Sequence, residues 1–150
     1  MADRITPEQR SHNMKMVKGK NTKPEMYLRQ LLFSRGFRYR IHSDKIPGHP
    51  DMWLKKYNTA VFVHGCFWHR HYGCKYASTP QTRETFWKEK FQRNQERDVA
   101  VKKQLKSQGI KCLIVWECTL KTMQKDSVVK NDVEARIEEF LNSDKKYLEI

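Results

Sequence analysis

One stretch of the chain, residues 49–74, constrains the fold more than any other. It contains a short apolar run from Ala60 to Val63 within a sequence that is otherwise polar. An apolar run of this length, bounded by turn residues, predicts a buried strand. The strand ends at His64, after which come side chains that bind metals or transfer protons, namely Cys66, His69, His71 and Cys74. We therefore expect a functional site at the end of this strand.

The rest of the sequence predicts one domain that contains both helices and strands. The strand at residues 59–64 follows a turn and a shorter strand at residues 51–54, and the two strands together predict a hairpin. Helices are expected at residues 21–36, 84–107 and 133–141, and further strands at residues 37–41 and 110–117. This order predicts an α/β (α+β) fold over residues 21–150. The polar tail beyond Asp144 carries no signal for a regular element.

The charge of the chain indicates its type of partner. A formal net charge of +13 favours a polyanion, either nucleic acid or an anionic membrane surface. No apolar run approaches the length of a membrane span, and there is no secretory signal. We therefore expect a cytoplasmic protein that acts on nucleic acid. Residues 1–20 are basic and predict a helical arm, which either lies along DNA or frays.

Four side chains have the types and spacing of a zinc site. Cys66, His71 and Cys74 lie within nine residues, and Cys118 follows a separate strand and could supply the fourth ligand. Three thiolates and one imidazole form a closed tetrahedral site, which is the structural kind for zinc. Without a secretion signal, cysteines favour a metal site over disulfides. Cys112 lies inside a strand, where we expect it only to pack.

A second group combines a carboxylate with histidines. Asp51 begins one strand of the hairpin and His64 ends the other, so the two residues should be neighbours. A carboxylate joined by a backbone carbonyl near Val63 suits Mg²⁺. His64 or His69 could take a proton from an attacking water. Spacing alone does not overturn a surface role for Asp51, and for Glu25 it favours a carboxylate that interacts with a helix dipole.

Large aromatic side chains accompany the predicted zinc ligands. Phe67 and Trp68 lie between those ligands, and Trp87 lies near the start of the following helix. Exposed rings on a basic protein can stack on bases or insert between base pairs. We expect Phe86 and Phe91 to pack in the core instead.

Longer motifs in the same regions resemble one family. The motifs HGCFWH at 64–69 and VWEC at 115–118 are much more specific than any ligand spacing. Together with Pro50-Asp51 and with Trp87, Asn94, Arg97 and Asp98 in their spacing, they are similar to the very-short-patch mismatch repair endonucleases. The resemblance extends from about residue 10 to residue 140. The loop reads HRHYGC, which places its last cysteine one residue further on than in the type member of that family.

The resemblance implies a fold and a set of site residues. The fold would be restriction-endonuclease-like, with a central mixed sheet flanked by helices and a loop pinned by zinc. Asp51 and the backbone carbonyl of Val63 would hold Mg²⁺, and Glu25 would hold waters bound to the metal. His69 would be the base, and His64 would stand where related nucleases have a lysine. Structural zinc would be held by Cys66, His71, Cys74 and Cys118, and the rings that intercalate into DNA would be Phe67, Trp68 and Trp87.

The resemblance also implies an activity. The protein would nick double-stranded DNA on the 5′ side of the thymine in T:G mismatches, which arise when 5-methylcytosine deaminates, and so initiate very short patch repair. It would act on the bacterial nucleoid, with other mismatch-repair proteins as candidate partners. A single nick requires one active site, which fits a monomer. Two alternatives stay open, a restriction-type endonuclease with another target and a zinc-stabilised DNA-binding protein without catalysis.

Overall fold

A computed structural model describes residues 21–150, so the predicted basic arm at residues 1–20 lies outside the described residues. The described residues form a five-stranded mixed sheet with helices on both faces, which confirms the predicted α/β (α+β) class. The elements in chain order are α1 (Lys23–Ser34), β1 (Arg40–Ile41), β2 (Met52–Leu54), β3 (Thr59–His64), α2 (Glu84–Ser107), β4 (Lys111–Trp116), α3 (Glu117–Lys125), α4 (Ser127–Leu141) and β5 (Tyr147–Glu149).

The strands lie in the sheet in the same order as in the chain. The pairs β1–β2 and β2–β3 are antiparallel, whereas β3–β4 and β4–β5 are parallel. The predicted hairpin is confirmed, since Met52 pairs with Val61 across β2 and β3. The last residues of β3 and β4, His64 and Trp116, are paired. The segments that follow these two strands therefore begin side by side, at the same end of the sheet.

Both faces of the central strands are covered. Successive side chains of a strand point to opposite faces, so Val61 packs with α1, α3 and α4, whereas Ala60 and Phe62 lie on the α2 side. All six residues of β4 are buried. A strand buried on both faces is apolar throughout rather than alternating, which explains the continuous apolar runs in the sequence.

α2 has the predicted bounds, and α1 lies within its predicted range but is two residues shorter at each end. α1 is capped by Thr22, whose side chain accepts from the amide of Glu25, while the Glu25 side chain accepts from the amide of Thr22. α2 runs from Glu84 to Ser107, and most of its middle is exposed. None of the helices in residues 21–150 combines the length and the apolar composition needed to cross a membrane.

Two elements near the C-terminal end, α3 and β5, were not predicted. The last predicted helix begins earlier, at Ser127, where Asp126 caps it, and a separate helix, α3, precedes it. The tail forms β5, which was not predicted because it is a short edge strand with mostly exposed side chains. The amide of Ile150 donates to the carbonyl of Ile114 on β4. The predicted strand at residues 37–41 is shorter and comprises only Arg40–Ile41.

Candidate functional site

Four metal-ligand side chains meet beyond the ends of β3 and β4. The ligand atoms of Cys66, His71, Cys74 and Cys118 all lie within 4.8 Å of one another. Nδ1 of His71 is 3.6 Å from Sγ of Cys66 and 3.4 Å from Sγ of Cys118. Tetrahedral bonds of about 2.3 Å to sulfur and about 2.0 Å to nitrogen require a separation of about 3.5 Å between these atoms. The cluster therefore fits a tetrahedral metal ion.

Binding of a metal ion to the cluster would be coupled to the release of protons. Burial raises the pKa of Cys66 to about 12. Without a cation this thiol therefore stays protonated at neutral pH, and a metal ion would have to displace the proton. Cys74 belongs to the cluster despite the longer loop, which turns through Gly73 at φ +72°.

Arg70 holds the same loop together, a role that the sequence did not suggest. Its guanidinium donates to the carbonyls of Ala77 and Ser78, both at 3.0 Å. The guanidinium carbon also lies 4.1 Å from the ring centroid of Phe91 on α2. Arg70 thus joins its own part of the loop to Ala77 and Ser78 and to α2. These contacts hold a loop that has little apolar surface of its own to bury.

Two histidines and an aspartate form a second group. The rings of His64 and His69 are stacked, with centroids 3.8 Å apart and planes 4° from parallel. Nδ1 of His69 lies 2.7 Å from Oδ2 of Asp98 on α2. Because the carboxylate accepts this hydrogen bond, we assign the proton to Nδ1, which leaves Nε2 of neutral His69 free to accept another proton.

The stacked geometry suits proton transfer better than metal binding. The nitrogen lone pairs of an imidazole lie in the plane of its ring, so two parallel stacked rings do not direct them at one point. His64 is only 7% exposed, and burial, together with the neighbouring His69, lowers its pKa to about 3. His64 is therefore neutral at physiological pH.

A third group surrounds Asp51. Its Oδ2 accepts a hydrogen bond of 2.6 Å from the amide of Val63, so this amide, rather than the carbonyl, contacts the carboxyl group. Burial and the adjacent Glu25 raise the pKa of Asp51 to about 7, against the opposite effect of the Val63 amide. His42 lies in the same group. The buried Glu25 and the partly buried Asp51 are carboxyl groups in contact, and such a pair fits a divalent cation, which offsets their mutual repulsion.

The hairpin, the loop and α2 converge on one cavity of about 290 Å³. Asp51, His64, His69 and Asp98 all line it, which brings together three residues that the sequence selected. Other polar side chains in its wall are His49, Asn94, Arg97 and Lys102. The sequence analysis did not assign a role to Asp98, although it lies in one of the family motifs. Its only local signal is a place in the polar middle of a helix.

The aromatic side chains form a continuous cluster. Phe67, Trp68, Trp87 and Phe91 contact one another with ring centroids 5.1 to 5.8 Å apart. Phe67 and Trp68 are partly exposed, but Trp87 is only 8% exposed. The expectation of core packing was right for Phe91, which is buried, and wrong for Phe86, which is 37% exposed.

These groups in a strongly basic α/β protein are typical of a nuclease, and comparison with known proteins identifies the family. The family profile described as DNA mismatch endonuclease Vsr matches residues 2–75. The type II nicking enzyme V.NmeAIP of Neisseria meningitidis serogroup A is 44% identical over 121 residues, which cover 81% of this chain and 86% of that protein. The DNA mismatch endonuclease Vsr of Escherichia coli K12 is 37% identical over 141 residues, which cover 94% and 88%.

A further relative is the type II nicking enzyme V.XorIIP of Xanthomonas oryzae pv. oryzae, 41% identical over 120 residues, which cover 80% of this chain and 88% of that protein. The chain therefore belongs to the Vsr family of DNA mismatch endonucleases, and its mixed sheet flanked by helices is the restriction-endonuclease-like fold. It is a DNA endonuclease, which excludes the alternative of a binding protein without catalysis.

Proposed function

We propose that the protein nicks double-stranded DNA on the 5′ side of the thymine in T:G mismatches and so initiates very short patch repair. The observation that carries this proposal is the single cavity lined by Asp51, His64, His69 and Asp98. The names of the relatives support it, since V.NmeAIP and V.XorIIP are nicking enzymes and the Escherichia coli protein is a mismatch endonuclease.

Two kinds of metal ion would serve this function. Mg²⁺ would be held by Asp51 and the backbone carbonyl of Val63, with Glu25 contacting its waters. When bound, Mg²⁺ would polarise a phosphate oxygen and lower the pKa of the attacking water. Zinc would be held by Cys66, His71, Cys74 and Cys118 and would fix the loop that carries the aromatic rings.

The proton of the attacking water would pass to His69. Nε2 of His69 accepts it, while the Asp98 carboxylate holds Nδ1 and stabilises the imidazolium that forms. His64 is buried and neutral, so it adds no positive charge beside His69. Its stacked ring keeps the His69 ring in one plane, and its nitrogens can hydrogen-bond to the phosphate or to a water.

Phe67 and Trp68 would recognise the mismatch. Their rings are the partly exposed members of the aromatic cluster, and insertion between base pairs is easier where a mismatch weakens the stack. Trp87 would join them only after the cluster opens, because its ring is buried. The basic arm at residues 1–20 would lie along the DNA, beside a catalytic domain of residues 21–150 that acts as a monomer and could cooperate with other mismatch-repair proteins.

A nicking assay tests the proposal. The zinc-loaded protein is mixed with two labelled duplexes that differ only in one central T:G or T:A pair, with Mg²⁺ and without it. We expect Mg²⁺-dependent cleavage of the thymine strand at T:G alone. Equal cleavage of both duplexes would instead indicate a restriction-type endonuclease.

An active-site variant tests the metal assignment separately. Asp51→Ala should abolish nicking yet bind the T:G duplex. The substitution removes the metal ligand and leaves intact the loop that carries Phe67 and Trp68. Asp44→Ala is the matched control, since Asp44 is an exposed aspartate in the preceding loop. Normal nicking by Asp51→Ala would show that the metal site lies elsewhere.

A further inference from the structure

Two basic side chains that the proposed mechanism does not use converge on Glu25. Nη2 of Arg29 lies 2.7 Å from Oε1 of Glu25, and Nε2 of His42 lies 2.8 Å from the same oxygen. Arg29, one turn further along α1, is 6% exposed and Glu25 is 2% exposed. His42 follows β1 with a φ of +47°, a conformation that few residues other than glycine adopt. The fold thus fixes the position of the Glu25 carboxylate through contacts with both side chains.

The distances define which atoms donate. Nη2 of Arg29 and Nε2 of His42 are 3.0 Å apart, and a guanidinium carries donors only. If Nε2 accepted from Arg29, its lone pair would face the lone pairs of Oε1. When both groups donate to Oε1, both contacts to the carboxylate are hydrogen bonds, and the 3.0 Å between the two nitrogens reflects the acceptor that they share. We therefore assign the His42 proton to Nε2. Oε1 then accepts two hydrogen bonds.

The other groups around this carboxylate are also fixed. Oε2 of Glu25 accepts a hydrogen bond of 3.2 Å from the amide of Thr22. Arg29 is itself held, since Nη1 donates to Oδ1 of Asn21 at 2.9 Å and its carbonyl accepts from the hydroxyl of Tyr39 at 3.1 Å. The Glu25 carboxylate therefore has little freedom to turn towards a metal ion.

We propose that Arg29 and His42 are positioning residues that hold Glu25 beside Asp51 and prevent its carboxylate from binding the ion directly. The inference rests on the metal site proposed above. An ion bound directly to Asp51 but not to Glu25 keeps most of its water, which is the coordination that Mg²⁺ prefers. The positive charge of Arg29 also repels the ion, so binding stays weak and the waters stay exchangeable.

Removal of these donors should therefore strengthen metal binding and weaken catalysis. In Arg29→Met, Glu25 is free to join Asp51 as a direct ligand, and a repelling charge is lost. We expect Mn²⁺ to bind the zinc-loaded, DNA-free protein about tenfold more tightly, measured by calorimetry or by the electron paramagnetic resonance of free Mn²⁺. The nicking rate at saturating metal should fall by about tenfold or more. A purely structural role would weaken both.

A second variant covers the case in which Arg29→Met does not fold, which a circular dichroism melt reveals. His42→Asn tolerates a positive φ and is too short to reach Glu25, so it should shift Mn²⁺ affinity in the same direction by a smaller factor. Arg35→Met is the matched control, because Arg35 also lies next to α1 but pairs with Glu134 and Glu138 on α4 rather than with Glu25. It should leave Mn²⁺ affinity unchanged.

The outcomes separate this inference from the proposed function. Unchanged or weaker Mn²⁺ binding by folded Arg29→Met or His42→Asn would overturn the positioning role, while loss of Mn²⁺ binding in Asp51→Asn would uphold the metal site. If Asp51→Asn binds Mn²⁺ as tightly as the unmodified protein, the metal site itself is wrong and the positioning role falls with it.

Discussion

The hydrogen bond between His69 and Asp98 gives a sharp prediction. The 2.7 Å contact joins a carboxylate to the nitrogen that must stay protonated, in a partly shielded setting. A hydrogen bond to a charged group contributes about 1.5 to 3 kcal/mol, which corresponds to roughly 10- to 150-fold in rate. In Asp98→Asn the amide can also donate to Nδ1, which moves the imidazole proton to Nε2 and removes the acceptor. We therefore expect a loss of about 100-fold.

The assay is single-turnover nicking of a T:G duplex, with DNA affinity measured in parallel. Asp98→Asn should bind DNA normally, because the substitution preserves the shape of the side chain. Glu96→Gln serves as the control, since Glu96 lies on the exposed side of α2, where it accepts a hydrogen bond from Gln92. A rate for Asp98→Asn within about threefold of the unmodified protein would refute the role of His69 as the base.

Three further predictions concern metal content and stability. Cys118→Ser should lower the zinc content measured by mass spectrometry and the melting temperature, whereas Cys112→Ala, in a buried strand, should keep the zinc. Lys111→Met should lower the free energy of unfolding in urea by about 2 to 3 kcal/mol, because the buried ammonium donates to three carbonyls at the end of α4. On folding, the pKa of Asp51 rises from 3.8 to about 7, so the folded protein loses stability as the pH rises through this range. The pKa of His64 falls from 6.5 to about 3, so the folded protein loses stability as the pH falls through that range. These slopes of about 1.4 kcal/mol per pH unit oppose each other between about pH 4 and 6.5. In urea titrations without Mg²⁺, Asp51→Asn should therefore lose stability on acidification, and His64→Gln should lose stability on alkalinisation. The same dependence of stability on pH in both variants would contradict these two pKa shifts.

The sequence predicted the parts of the site that follow directly from strand ends. β3 and β4 are parallel neighbours that end at paired residues, so Cys66 and Cys118, each two residues further on, have to meet. The hairpin likewise brings Asp51 to the amide of Val63. In these cases an apolar run defines the strand, and the pairing geometry then fixes which side chains become neighbours.

Most residues that the sequence missed are selected by packing between distant elements. His42 reaches Glu25 only because the fold brings the end of β1 close to α1. Arg29 lies four residues after Glu25 on α1, a spacing that permits an ion pair but does not mark it as part of a site. Asp98 is one of several polar residues in the middle of α2, and composition does not indicate which of them faces the loop. β5 was missed because it is a short edge strand whose mostly exposed side chains form no apolar pattern.

One face of α2 links the rings proposed to recognise the mismatch to the proposed base. Trp87, Phe91, Asn94 and Asp98 recur at helical spacing and therefore lie along one side of the helix.

They contact the loop in sequence order. Trp87 and Phe91 pack on the ring of Phe67, and the amide of Asn94 donates to the carbonyl of Trp68 at 3.2 Å. Asp98 then holds His69, the next residue of the loop. Insertion of Phe67 and Trp68 into DNA would move the main chain of the loop directly before His69, the proposed base. Under the proposed function, correct insertion at a mismatch and correct placement of His69 are therefore a single event, which would confine cleavage to the site that the rings can open.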